Sequence, residues 1–129
     1  MATFLIDTTI LIDLTRGSPN AIRVIAEEQN AGQVPALSIV SSMELIVGCR
    51  DKAEVRRVQE TLARFSVLPL TPTISQQAYD WLAQFSKSHG LMIPDALIAA
   101  TALDNSLGVL TLNERHFAML PGLSVQRPY

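Results

Sequence analysis

Three carboxylates, Asp7, Glu44 and Asp95, stand where apolar stretches of the chain meet the starts of predicted helices. Asp7 closes the run Thr3-Phe4-Leu5-Ile6, Glu44 follows Ser41-Ser42-Met43, and Asp95 follows Ile93-Pro94 at the head of an alanine- and leucine-rich segment. Carboxylates are rare at core-facing positions without a partner, because desolvating the charge is costly. Acids gathered together also repel, and they stay ionised only if a cation joins them. A hard divalent cation bound through oxygen, Mg²⁺ with Mn²⁺ as a substitute, meets that need. The pattern points to metal-assisted chemistry on a phosphate.

Each acid also has a plainer role. Ser41-x-x-Glu44 fits a capping box, in which the Glu reaches back to the N–H of the cap residue. Asp95 beside Pro94 fits the first turn of a helix, where an acid complements the helix dipole. Asp7 is the hardest to explain away; capping the following helix is its alternative. Asp13 and Asp104 read as solvated or capping groups. His89 precedes Gly90 at a helix end, where a cation suits the dipole. His116 reads as a surface-loop residue, with contact to a phosphate as the alternative. Cys49, the only cysteine, reads as a small buried hydrophobe and excludes an internal disulfide.

The elements that must position these residues alternate between strand and helix. Strands are predicted over residues 3–6, 36–40, 67–70 and 109–112, with a possible fifth at 123–126. The proline in the third of these, Pro69, argues for a sheet edge. Thr8 or Thr9 is predicted to cap a helix running to Gly17, and Pro19 to begin another that ends at Gly32. Further helices are predicted from Ser41 to Gly48, Lys52 to Phe65, Thr73 to Ser88, and Pro94 to Ser106. The last is apolar almost all round and reads as central and buried. The alternation implies an α/β fold with a parallel sheet between helical layers. In such sheets ligands bind beyond the carboxyl ends of the strands, and four segments carrying Asp7, Ser41 to Glu44, Asp95, and Asn113 with Glu114 can converge there.

The chain has 129 residues, which predicts a single domain over 1–129. Hydrophobic residues make up 48% and charged residues 17%, which excludes a disordered chain. No apolar run approaches the roughly 20 residues that span a bilayer, so a soluble, cytoplasmic protein with no membrane partner is expected. The net charge of −2 does not mark a nucleic-acid binder. Arg50, Lys52, Arg56, Arg57 and Arg64 nevertheless fall in one segment, as a local basic face or a solvated helix face.

Four stretches in order carry a resemblance. They are Phe4-Leu-Ile-Asp7-Thr-Thr-Ile-Leu-Ile-Asp13-Leu14, Ser38-Ile-Val-Ser-Ser-Met-Glu44-Leu45, Ile93-Pro-Asp95-Ala-Leu-Ile-Ala-Ala100, and Leu110-Thr-Leu-Asn113-Glu-Arg-His-Phe117, followed by Leu120-Pro-Gly-Leu123. Together they resemble the PIN domain, in particular the VapC-type toxins of bacterial toxin–antitoxin pairs, over essentially the whole chain. The resemblance implies a PIN-like three-layer α/β/α sandwich around a mostly parallel sheet of four or five strands. It implies an Mg²⁺-dependent endoribonuclease in which Asp7 and Asp95 hold the metal and Glu44 helps hold it or positions the attacking water. The family often has a fourth acid where this chain has Asn113, which offers an oxygen without a charge; Glu114 or Asp13 is the candidate to compensate. Thr111 matches a family position that orients a carboxylate or a water. The resemblance further implies an RNA substrate, a 5′-phosphate product, a neutralising antitoxin and a homodimer. The apolar stripes Ile22, Val24, Ile25 and Val55, Val58, Leu62 serve docking to these partners or ordinary core burial.

Other folds with acids at strand ends fail at particular residues. A phosphoacceptor receiver domain needs an Asp after the third strand, where Leu70-Thr71-Pro72 stands, and a late Lys, whereas none follows Lys87. A haloacid-dehalogenase-type phosphatase needs Asp-x-Asp after the first strand, where Asp7-Thr8-Thr9 stands. Two alternatives from other classes remain: a PIN-like module that binds RNA or protein without cutting, and a protein-interaction domain in which the acids are caps only.

Overall fold

Leu5 and Ile6 are neighbours in β1 (Phe4–Ile6), yet they bury in separate apolar clusters. Successive strand side chains point to opposite faces of a sheet, so β1 has a core on each side. The computed structural model describes residues 3–129. β1 pairs in parallel with β2 (Ala36–Ser38) and β4 (Gly108–Leu110); β3 (Ser66–Leu68) adds to β2, and β5 (Val125–Gln126) to β4. The sheet order is β3-β2-β1-β4-β5, with every pairing parallel. Val109 and Leu110 repeat the division made by Leu5 and Ile6.

One face is covered by α1 (Thr8–Thr15), α2 (Pro19–Asn30) and α4 (Lys52–Leu62), through Ile10, Leu11, Ala21, Val24, Ile25, Val58 and Leu62. The other is covered by α5 (Pro72–His89) and α6 (Ile93–Asp104), through Ile74, Ala78, Trp81, Ile98 and Ala99. α3 (Ile39–Val47) contributes to both, with Val40 on one side and Leu45 on the other. The result is the expected three-layer α/β/α sandwich. Most of the apolar stripes proposed for docking or core burial belong to its core; Ile22, at 49% exposed, and Val55, only partly buried, lie outside it. Among the described residues no helix is long and apolar enough to cross a membrane.

Several boundaries differ from expectation. β2 stops at Ser38 because the Ser38 side chain accepts the Val40 N–H and caps α3 three residues ahead of the predicted start at Ser41. Asp7, not Thr8 or Thr9, occupies the cap position of α1. α6 begins at Ile93, with Pro94 second, and α5 is capped by Thr71. Strand β4 ends at Leu110, two residues early, because the chain then turns into the site. β3 lies at the edge as expected, with Pro69 just beyond it. α5 ends at Gly90 with φ 69°, a left-handed conformation that glycine adopts without a Cβ penalty and that lets α6 turn back along α5.

The topology fixes where a site can form. From β1 the chain moves outward through β2 to β3, then crosses to the other side of β1 to make β4 and β5. β1 and β4 are therefore adjacent strands whose connections leave in opposite directions, which opens a crevice at their carboxyl ends. Asp7 follows β1 at this point, and Thr111 to Asn113 follow β4.

Candidate active site

Asp7 takes the cap position of α1 without capping it. Its carbonyl accepts the N–H groups of Ile10 and Leu11, but its side chain makes no capping bond. Instead Oδ2 accepts hydroxyl protons from Thr9 and from Thr111, each at 2.8 Å. Thr9 in turn accepts the Leu112 N–H at 3.2 Å, and Thr111 accepts the Asn113 N–H at 2.9 Å. A hydroxyl has one proton to give, so these backbone donors leave each threonine free to aim its proton at the carboxylate. Two relays from the β4 turn thus pin Oδ2 of a side chain that is only 3% exposed, while Oδ1 accepts no hydrogen bond from the described residues.

Glu44 is not part of a capping box, because α3 starts at Ile39 and Ser41 lies inside it. Ser41, fully buried, meets Thr8 Oγ1 at 2.7 Å, and Thr8 Oγ1 meets Glu44 Oε1 at 2.8 Å. The ionised carboxylate can only accept, so Thr8 donates to it and Ser41 supplies the proton that Thr8 accepts. Glu44 itself is exposed, tethered by one oxygen.

Asp95 occupies the first turn of α6, half-buried, with Oδ2 3.1 Å from His116 Nδ1. Burial pushes its carboxyl above the ordinary range. The Asp7 carboxylate pushes the same way and Glu44 adds to it, while His116 opposes them by charge and hydrogen bond. The three acids, far apart in sequence, therefore share one electrostatic field. The dipole alternative for Asp95 keeps its geometry, since the residue is in a first turn, but that position does not relieve the repulsion.

The remaining sequence candidates fall outside this core. Asn113 is exposed, and its side chain makes no hydrogen bond among the described residues. Glu114 Oε1 lies 3.8 Å from Arg127 Nη1, and Asp13 accepts a hydrogen bond from the Tyr129 hydroxyl at 2.8 Å. Burial and this bond to Asp13 push the tyrosine up to about 12. Glu114 and Asp13, the candidates to compensate for Asn113, thus each have a partner of their own. Sequence reasoning missed His116 as a partner of Asp95, and Thr8, Thr9 and Ser41 as tethers. The Thr8-Thr9 pair directly after a strand-end acid was the available signal for the tethers. His116 had only its place in the Leu110 to Phe117 stretch.

Among the described residues no group of three or more His, Cys, Asp or Glu side chains is arranged to hold a metal by itself. The donor set fits a sparser arrangement. Asp7 Oδ1 and Asp95 Oδ1 are carboxylate oxygens without a protein hydrogen bond, and no Lys or Arg pairs with either acid among the described residues. Mg²⁺ is commonly held by one or two carboxylates with water and substrate phosphate completing the shell.

The sequence model of the PIN domain matches residues 4–122. The chain belongs to the PIN domain family. Among similar PIN proteins, ribonuclease VapC10 of Mycobacterium tuberculosis is 39% identical over 120 residues, covering 92% of this chain and 89% of the relative. Ribonuclease VapC19 of the same species is 36% identical over 126 residues, covering 97% and 98%. The toxin–antitoxin complex from Klebsiella pneumoniae contains a chain that superimposes with a TM-score of 0.79 at 31% identity, over 98% of each chain.

Proposed function

We propose that this PIN domain is a VapC-like endoribonuclease: a toxin that hydrolyses RNA phosphodiester bonds with Mg²⁺, or Mn²⁺ in its place, and is inhibited by a cognate antitoxin. The observation that carries the proposal is the set of tethers at the sheet's switch point, where Thr9 and Thr111 hold Asp7, the adjacent Thr8 holds Glu44, and His116, beyond β4, meets Asp95, in a chain 39% identical to a ribonuclease over nearly its full length. The similarity to a chain of a toxin–antitoxin complex supports the antitoxin partner.

Asp7 and Asp95 would hold the ion through their unbonded oxygens, with Glu44 beside them. The ion supplies the Lewis acidity that activates the attacking water and neutralises charge on the phosphate. The protein's own contribution is positional. Thr9 and Thr111 fix the direction of the Asp7 carboxylate, and His116 fixes that of Asp95. Glu44, tethered by Thr8 but open to solvent, orients the attacking water and accepts its proton. Hydroxide adds to phosphorus and the bond to the 3′ oxygen breaks, leaving a 5′-phosphate and a 3′-hydroxyl. Asn113, at the rim, offers a neutral oxygen in a supporting role, and Glu114 stays with Arg127. A homodimer and a cytoplasmic location belong to the same proposal.

The neutral Asn113 favours one second reading, a PIN module that binds RNA without cutting it. RNA cleavage by the purified protein with Mg²⁺ or Mn²⁺, with EDTA, and in Asp7→Asn and Asp95→Asn separates the two. Metal-dependent cutting lost in both variants is expected. Cutting that survives equally in both variants overturns the assignment, and no cutting beside intact RNA binding favours the second reading.

A further inference from the structure

A cleft of about 680 Å³ opens between α1, α3 and α4, and Glu44 is one of its walls. Glu44 links the cleft to the acid cluster: Thr8, the chain neighbour of Asp7, donates to its Oε1 at 2.8 Å. Its lining includes three arginines from three places in the sequence: Arg16 at the end of α1, Arg50 after α3, and Arg57 on α4. The α4 face turned towards it carries Glu54, Arg57, Val58 and Thr61 at helical spacing, whereas Lys52, Arg56 and Arg64 are not part of the lining. Of the five basic residues in that segment, Arg50 and Arg57 line the cleft; on α4 itself helical phase separates Arg57 from Lys52 and Arg56.

Charge in the cleft is not balanced internally. Arg50 pairs with Glu54 at 3.2 Å, but Arg16 and Arg57 have no carboxylate partner among the described residues. In a chain of net charge −2, unpaired cations concentrated beside a phosphate-cleaving site are placed to receive anions.

We propose that this cleft is the track for the RNA backbone flanking the scissile phosphate, with Arg16, Arg57 and Arg50 holding successive phosphates of a single strand. The proposal rests on the ribonuclease reading and extends it from the reacting phosphate to its neighbours. Contacts of this kind set affinity and register without reading bases. Each phosphate neutralised on a single strand contributes a slope of about −0.7 to the logarithm of affinity against the logarithm of salt. Removing three contacts should lower the slope by about 2 and weaken binding about a hundredfold near 0.1 M salt.

The test is binding of a fluorescent single-stranded oligouridylate to the full chain in EDTA, across a range of KCl concentrations, with cleavage in Mg²⁺ measured separately. The Arg16→Ala, Arg50→Ala and Arg57→Ala triple variant should lose affinity and slope, and the triple Lys variant should keep the slope, because charge is retained. Lys87→Ala, on α5 away from the cleft, is the control and should bind as the wild type does. Wild-type cleavage with unchanged affinity and slope in the triple Ala variant overturns the track while leaving the nuclease standing. No cleavage by the wild type, together with loss of slope in the triple Ala variant, upholds the track and removes the nuclease. Unchanged RNA affinity with weakened binding of polyglutamate assigns the cleft to an acidic protein segment and overturns the proposal.

Discussion

Replacing Asp7 separates what the carboxylate does for the fold from what it does for chemistry. Asp7→Ala takes the acceptor away from two threonine hydroxyls, one of them on Thr111, which is fully buried. A buried donor left without a partner costs about 1–3 kcal/mol. Thr9 is only half-buried and recovers part of its loss through water, so the total is about 2–4 kcal/mol. At about 4 °C per kcal/mol for a domain of this size, the melting temperature should fall by roughly 8–16 °C. Asp7→Asn behaves differently. Its amide oxygen can accept both hydroxyls, its amide nitrogen replaces a charged oxygen near Asp95 and Glu44, and the repulsion on Asp95 is relieved. Stability should therefore match or exceed that of the wild type, while RNA cleavage falls by about a thousandfold through loss of a metal-holding charge, on the order of 4 kcal/mol of transition-state stabilisation. Thermal melts without metal, with carboxyl-carbon NMR of Asp95, provide the assay. Asp95 should titrate lower in Asp7→Asn than in the wild type. If Asp7→Asn melts as low as Asp7→Ala, the charge is required by the fold, and the account of a site strained by repulsion is refuted.

Three further outcomes follow from the same geometry. The Asp95 carboxyl is raised above its ordinary 3.8, so the native state holds that proton more tightly than the unfolded chain does. Its contribution to stability is full below the ordinary value and is lost as pH rises through the raised one. Asp95→Asn should accordingly melt higher than the wild type at pH 7, with the gain fading towards the ordinary carboxylate value; a gain that persists unchanged in acid contradicts the shift. Ser38→Ala should cost about 1 kcal/mol by removing the cap of α3, as read by urea denaturation, and no loss would return the helix start to Ser41. A Cβ added at Gly108 would lie 3.0 Å from the Phe4 ring and 3.2 Å from the Ser124 carbonyl, so Gly108→Ala should cost about 1–3 kcal/mol. Phe4→Leu in the same chain should recover part of that loss; strict additivity in the double-mutant cycle would place the strain elsewhere.

Sequence pattern located the five strands, the six helices and the three acids because each is a local signal: apolar runs, helical spacing, glycine and proline at the ends. It misplaced the start of α3 because Ser41-x-x-Glu44 satisfies the local rule for a cap as well as Ser38 does. Only the pairing of β2 with β1 and β3 decides how far the strand runs and which serine is left to cap. The same limit hid the tethers. Thr111 meets Asp7 across 104 residues, and Ser41 meets Thr8 across 33, so no periodicity announces either contact. The members of the basic segment that line the cleft, Arg50 and Arg57, became distinguishable from the rest only when α4 was laid against α1 and α3.

The tethers bear on why the acids remain acids. A carboxylate cluster can be quieted by an arginine or lysine, but a fixed cation would occupy the place of a metal and of the phosphate it attracts. Here the donors to Asp7 and Glu44 are neutral hydroxyls, and the one ionisable partner, His116, sits on Asp95. Hydroxyls orient one oxygen of a carboxylate and satisfy its desolvation in part without cancelling its charge. The negative potential at the strand ends is thereby preserved, as the proposed metal chemistry would require. On the functional proposal it would also repel RNA until that cation arrives, whereas the arginines of the neighbouring cleft would attract RNA with or without it. Binding along the flanking strand and engagement of the scissile phosphate are then separable steps. Raising Mg²⁺ at constant ionic strength should accelerate cleavage well before it changes affinity for the oligouridylate, and affinity that rises in step with rate would place both tasks on the acids alone.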